Sequence, residues 1–467
     1  MITGKQYRKS LDDGRAVYFE GQRVNALADH PVLGKAVDLI ADGYDRWFDE
    51  SNQAGANPVL GAAATGGDLA GVLPLLDEAD ALVNLTYQSI MCLLTASGRS
   101  KSQRAEYSER IGAFAARLSE EDLRCALCIT DGKGDRGLPP LMQPDPDAYT
   151  RVVSRSAEGV VIRGSKLHIT AGPLAHEFLV MPTKAMKPGE EDYAICCAVP
   201  VGAPGVKVVA RTSASQAADQ RHHPFSKHGI YPEGFVIFDD VFVPNERIFL
   251  DGEVGQAALF AHALGLWERL KALTLMADDA DTLVGLAQLV AEANGLTKVA
   301  HIREKINDMV IYATLIRAGL LSAVATAKTS DRGIGIPDET FTNVTKFYAA
   351  DNYSTMVRNL QDIAGGSLVT APTMADLDNP EVGPLIEKYM ATGAQAGGRY
   401  RTYLLHAIRD MTADAAGGHT AAIQLHAGGG MYAQRIVARK HYDIEGAKRK
   451  ARQRVGLPDV TTDPIDF

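Results

Sequence analysis

Residues 149–169 read YTRVVSRSAEGVVIRGSKLHI. β-Branched and polar residues alternate on either side of Ala157-Glu158-Gly159. That is the period of a half-buried hairpin with the tripeptide at its turn. Short apolar runs follow at EFLVMPT (177–183), YAICCAVPV (193–201), VKVVAR (206–211) and GFVIFDDVFVP (234–244), separated by proline and glycine. A compact antiparallel β domain is expected, ending near NERIFL (245–250).

The flanks decide the class. Upstream, residues 30–50, 69–96 and 107–128 carry apolar side chains at i, i+3, i+4 spacing and read as helices, with a Gly/Ala-rich loop, SNQAGANPVLGAAATGG (51–67), between the first two. Downstream, 279–295, 298–329, 338–366 and 381–418 are long amphipathic segments, several closing on glycine. Four long helices with short links predict a bundle. The expected architecture is α+β in three parts: an N-terminal helical domain (1–145), a central antiparallel β domain (146–254), and a C-terminal helical bundle and tail (255–467).

The 467 residues are 46% hydrophobic and 22% charged, an ordinary soluble composition. A net charge of −9 argues against a nucleic-acid binder, which carries a basic face. No uninterrupted apolar run approaches ~18 residues, so no membrane span is expected. The first 24 residues lack the apolar core of a signal peptide, and a cytoplasmic location is expected. Five cysteines, an odd number, argue against a disulfide framework. Cys125 and Cys128 form a lone CxxC, which reads as small buried residues ahead of a metal site.

TDGKGDRGLPP (130–140) sets Asp131, Lys133, Asp135 and Arg136 among three glycines. Such a segment is a solvated turn or a cradle for an anion. His222, His223 and His228 share a loop, but without a carboxylate or cysteine pattern they are a weak zinc signal. No GxGxxG follows a strand, so no nicotinamide site is expected.

Six stretches, 1–24, 130–140, 158–183, 233–249, 360–372 and 433–443, occur in an order and spacing that resemble the 4-hydroxyphenylacetate 3-hydroxylases and 4-hydroxybutyryl-CoA dehydratases. The resemblance implies an acyl-CoA dehydrogenase-like fold, a homotetramer and FAD. It assigns FAD contacts to Thr130, Lys133, Asp135 and Arg136 in the loop and to His168 and Thr170 at a strand end. Gln361, Asp362, Gly365 and Gly366, in LQDIAGG, would complete the site from a neighbouring subunit. Arg136 would meet a phosphate by charge-assisted hydrogen bonds. Gly132, Gly134 and Gly137 would let backbone amides approach the diphosphate. Glu233 and His426 match family positions beside the flavin, and Arg99 is a third candidate catalytic residue, as a source of positive charge.

The departures from the family are informative. The dehydratase branch holds a [4Fe–4S] cluster on three cysteines and a histidine. The matching positions here are Thr86, Ile90, Glu268 and Leu275, which supply no thiolate. The hydroxylase branch grips a phenol with an arginine that LVNLTYQSIM (82–91) lacks. The function expected is a two-component monooxygenase that takes FADH2 from a separate flavin reductase and oxidises a small organic substrate, with no metal. The alternative is a cluster-free acyl-thioester dehydrogenase, dehydratase or isomerase, with Glu233 or Glu268 as base. A flavin-free structural relative is the non-enzymatic reading.

Overall fold

The computed structural model describes residues 1–52, 56–65, 69–102, 104–227, 231–330, 333–393 and 395–457. The N-terminal region runs α1 (Gly4–Ser10), β1 (Ala16–Phe19), β2 (Gln22–Val24), α2 (Gly34–Trp47), α3 (Pro58–Thr65), α4 (Leu69–Glu78), α5 (Ala81–Arg99) and α6 (Ala105–Glu120). Then come β3 (Cys125–Cys128), β4 (Arg151–Arg155), β5 (Gly159–Thr170), β6 (Glu177–Val180), β7 (Ile195–Pro200), β8 (Val206–Arg211), β9 (Glu233–Pro244) and β10 (Ile248–Asp251). The chain continues as α7 (Val254–Ala293), α8 (Ala300–Ala325), a small hairpin of β11 (Lys328–Thr329) and β12 (Gly335–Ile336), and α9 (Glu339–Ala364). It ends in α10 (Ser367–Thr370), α11 (Met374–Asp378), α12 (Gly383–Met390), α13 (Gly398–Thr412), α14 (Ala415–His426), α15 (Met431–His441) and α16 (Ile444–Val455).

The hairpin at 149–169 is present as β4 and β5, paired antiparallel. It edges a sheet ordered β2-β1-β8-β9-β5-β4, and a second sheet runs β10-β7-β6-β3. The second sheet is covered on both faces. Ala126, Cys128, Phe178, Val180, Ile195 and Cys197 face the first sheet's core, while Cys125, Leu127, Leu179 and Cys196 face the helices. Double burial accounts for the unbroken apolar runs of β6 and β7. It also fixes the cysteines: all five are free and buried, and burial pushes the thiols of Cys125 and Cys197 up to about 12.

Four sequence expectations need correction. The helix expected across 107–128 ends at Glu120. Asp122 takes a left-handed φ of 52°, and Cys125–Cys128 become a strand pairing parallel with β6. The central sheets are therefore not purely antiparallel, since β1 also pairs parallel with β8. The Gly/Ala loop at 51–67 contains α3, whose first turn is capped by the Asn57 side chain on the Val59 amide (3.0 Å), with Pro58 pre-set for the helix. The fourth bundle segment breaks into α12 and α13 around 391–397, while the first lengthens to the 40 residues of α7.

Among the described residues, one helix, α8, is long and apolar enough to cross a membrane by length and composition. One face of it, with Met309, Tyr312, Ile316 and Leu320, is packed inside the protein, and it lies against α7 and α9.

Gly164 sits where the β5–β9 register shifts, at φ 136°. A Cβ there would lie 2.6 Å from the Thr150 Cα. Gly164→Ala is expected to cost roughly 2 kcal/mol or more in thermal or urea unfolding, because both the backbone conformation and the space are denied.

Candidate active site

The 130–138 loop is shaped from within. Asp131 is buried and does not face solvent. It accepts from Lys166 Nζ (2.7 Å), the Thr150 amide (2.9 Å) and the Thr183 hydroxyl (2.6 Å). The Thr130 carbonyl accepts from the Leu167 amide (2.7 Å). Gln143 closes the turn by accepting from the Asp135 amide (2.9 Å) and donating to the Asp135 (2.7 Å) and Leu138 (3.0 Å) carbonyls. Asp135 spends its carboxylate on the Gly137 amide (2.9 Å). At the tip Lys133 and Gly134 are both left-handed, with φ 69° and 50°, and a Cβ on Gly134 would strike Gln143 at 2.3 Å.

This leaves Lys133 and Arg136 as the charges the loop presents. Partial burial lowers the Lys133 pKa, and the positive charges of Arg136, Lys166 and Lys184 lower it further, against the pull of Asp131. A lysine held among other cations at a cost to its own ionisation fits a polyanion such as a diphosphate.

β5 carries the site away from that loop. A second register shift, between Lys166 and Ile169, sets His168 at φ 61° and turns its ring outward. Burial, Lys133 and His426 hold His168 below the usual histidine value. Two residues on, Thr170 pairs in register with Glu233 at the start of β9, and its hydroxyl donates to the carboxylate (3.0 Å to each oxygen). Glu233 is 23% exposed. Burial pushes its pKa up to about 7, with the Thr170 bond opposing and Glu268 adding to the rise. His419 Nε2 lies 3.9 Å away. A cationic loop, the exposed His168 near the end of β5, and a proton-holding carboxylate at the start of the neighbouring β9 are thus brought together. That is the set of groups a cofactor with a diphosphate at one end and a reactive ring at the other requires.

Other expected residues are placed elsewhere. Arg99 forms an ion pair with Glu339 (2.7 Å), whose other oxygen meets His441 (2.8 Å), beside a surface cavity of about 330 Å³. Its charge is used at the start of α9 and does not serve Glu233. Gln361 is fifteen residues beyond Lys346 on α9, about 22 Å along the helix. There it donates to the Thr412 carbonyl (3.2 Å), Asp362 pairs with Lys305, Gly365 closes the helix at φ 76°, and Gly366 begins the next turn. The side-chain partners of Gln361 and Asp362 thus lie at the end of α13 and on α8, not on β5.

The histidine loop also divides. The Nε2 of His222 accepts from the Met374 amide (2.8 Å), whereas His223 lies 3.5 Å from Asp410 and 3.8 Å from Asp414; His228 is outside the described residues. Asp410, fully buried, fixes this loop to α13 through the amides of Phe225 (2.8 Å) and Ser226 (3.0 Å).

The cluster positions do not fit iron. Thr86 and Ile90 are buried, Leu275 is exposed, and Cys92 packs against Met181 and the Phe260 carbonyl. Sequence reasoning missed His419, Arg269 and Lys346. The last two are charges on otherwise apolar helix faces, a pattern that flags a buried polar contact.

Profiles of the 4-hydroxyphenylacetate 3-hydroxylase family match the chain: the N-terminal one over residues 3–59 and 82–250, the C-terminal one over 257–456. A 4-hydroxybutyryl-CoA dehydratase/vinylacetyl-CoA-Δ-isomerase of Clostridium aminobutyricum is 26% identical, covering 98% of this chain and 100% of that protein. The 4-hydroxyphenylacetate 3-monooxygenase oxygenase component of Thermus thermophilus is 27% identical over 88% of each. Among solved structures, an archaeal 4-hydroxybutyryl-CoA dehydratase from N. maritimus superposes with TM-score 0.86 at 26% identity, covering 100% of this chain and 97% of that one. A 4-hydroxyphenylacetate 3-monooxygenase oxygenase component complexed with FAD gives 0.84 at 25% identity, covering 97% and 98%.

Proposed function

The chain belongs to the 4-hydroxyphenylacetate 3-hydroxylase family, and on that premise we propose that it is the oxygenase component of a two-component, FADH2-dependent monooxygenase acting on a small organic substrate. The observation that carries this reading is the set of residues around β5: the Lys133/Arg136 loop, His168, and Thr170 bonded across to Glu233 on β9. Lys133 and Arg136 would hold the diphosphate of FAD, and Thr170 and His168 would serve its ring end. Reduced FAD supplies the electrons that split O2, in the balance substrate-H + O2 + FADH2 → substrate-OH + H2O + FAD. The protein's part is to bind and orient, to exclude water, and to move one proton at Glu233.

A separate flavin reductase delivers the FADH2. The 360–366 segment serves the site of a neighbouring copy in a homotetramer. Its distance along α9 from Lys346 supports that, as do the exposed Val310, Ile311, Leu315 and Leu321 on α8, an apolar face suited to a second subunit.

The alternative is an acyl-thioester dehydrogenase or isomerase. One observation favours it: Glu233 has the raised pKa of a general base, beside a second carboxylate, Glu268. One experiment separates the two. Anaerobic protein with FADH2 is mixed with oxygenated buffer, and the flavin spectrum and H2O2 release are followed. The oxygenase reading expects a transient absorbance distinct from reduced and oxidised FAD, outlasting that of free FADH2, with H2O2 release delayed. Immediate oxidation at the rate of free FADH2, with turnover of CoA thioesters, would establish the alternative.

A further inference from the structure

The residues behind Glu233 converge on one turn. Glu268 and Arg269, adjacent on α7, both address Gly428: the Glu268 carboxylate faces its amide, and Arg269 Nε donates to its carbonyl (2.8 Å). Arg269 also donates to Asn343 on α9 (2.6 Å). One turn further along α9, the fully buried Lys346 donates to the Gln424 carbonyl (2.8 Å). The Gln424 side chain donates to Asp279 (2.7 Å), and Gln434 on α15 donates to the Gly429 carbonyl (3.0 Å). Gly428 is left-handed at φ 73°, and a Cβ on it would lie 2.6 Å from Arg269 Cγ. The turn so gripped, residues 424–430, carries the exposed His426.

We infer that Glu268, Arg269 and Lys346 are positioning residues, a buried clamp that fixes the 424–430 turn and through it holds the exposed His426 at the cofactor edge. The cofactor edge itself rests on the flavin reading above. Burial raises the Glu268 pKa, and the Gly428 amide and the nearby Arg269 and Lys346 charges oppose that rise, whereas only the Thr170 hydroxyl opposes it at Glu233. Charges buried together are costly to unpair singly and far less costly to remove as a pair.

The test uses the full chain and two readouts. In flavin-free protein, Glu268→Gln and Lys346→Met each lower Tm by several degrees, and the double variant loses less than the sum of the two. Anaerobic FADH2 titration gives about tenfold weaker binding for His426→Ala, and adding Lys346→Met to it weakens binding no more than about twofold further. Gly428→Ala, which pushes the turn from the other side, matches Lys346→Met should the latter fail to fold. Additive Tm losses, or affinity losses that multiply with His426→Ala, overturn the clamp. If the parent binds no FADH2, the flavin reading fails, and the Tm cycle alone decides the clamp.

Discussion

Glu233→Gln is expected to lower turnover by about 10²- to 10⁴-fold, the range for loss of a positioned general acid or base. It should also abolish a single-proton limb in the pH–rate profile. Glu233 holds its proton up to about pH 7 because burial disfavours the anion, and only the Thr170 hydroxyl stabilises that anion in return. As a base it must be ionised, so parent activity rises with pH through about 7 and levels above. Glutamine keeps the size and the Thr170 bond but cannot titrate. The measurement is kcat against pH for parent and variant at saturating reduced flavin. A variant that keeps the limb near pH 7 assigns it to another group.

The same shift has a stability consequence of opposite sign. The folded pKa lies above the usual 4.5, so between about pH 4.5 and 7 the native state binds more protons than the unfolded one. Stability therefore falls as pH rises through that window, by on the order of 3 kcal/mol from this group. Glu233→Gln should be more stable than the parent above pH 7, and lose that advantage as pH falls towards 4.5. Slower catalysis with higher stability is the pattern of a functional site and not of a packing residue.

Lys166→Met is the second large effect. Lys166 is buried and donates to the carbonyls of Ile129 (3.0 Å) and Met181 (2.8 Å) as well as to Asp131 (2.7 Å). Removing it leaves the Asp131 charge buried without a counter-ion, at an expected cost of 3–5 kcal/mol, about the figure for breaking a buried pair. Asp131 also holds the loop that presents Lys133 and Arg136, so FAD affinity should fall along with Tm. Adding Asp131→Asn should recover much of the stability, since the uncompensated charge is then gone. Equal Tm for parent and Lys166→Met would show the pair to be dispensable.

Much of the fold was legible because burial on one face writes a period into a chain. The 149–169 alternation, the runs at 177–183 and 193–201, and the long stripes at 298–329 and 338–366 all appear as elements where expected. The misreadings share a cause. Residues 125–128 are buried on both faces, which erases the period that separates strand from helix. The 58–65 helix is rich in alanine and glycine, so its apolar pattern has no polar face to contrast with.

At the site, the sequence by itself determined the candidate residue types: the Gly-rich charged loop, Thr170, Glu233, His426, and the absence of cysteines at the cluster positions. The charged Gly-rich loop is legible from local chemistry, because turn-forming glycines must be in the chain whatever surrounds them; Thr170, Glu233, His426 and the cluster positions come from the family resemblance alone. Only the tertiary structure decided what each charge does. Asp131 and Asp135, alike in sequence, became an internal anchor and a turn closer. Arg99 was committed to Glu339, and Lys346, unremarkable in TKFYAADNY, became a buried grip on a turn 78 residues away. The reason is physical. A charge's role depends on which opposite charge and how much water it meets, and both are set by segments distant along the chain.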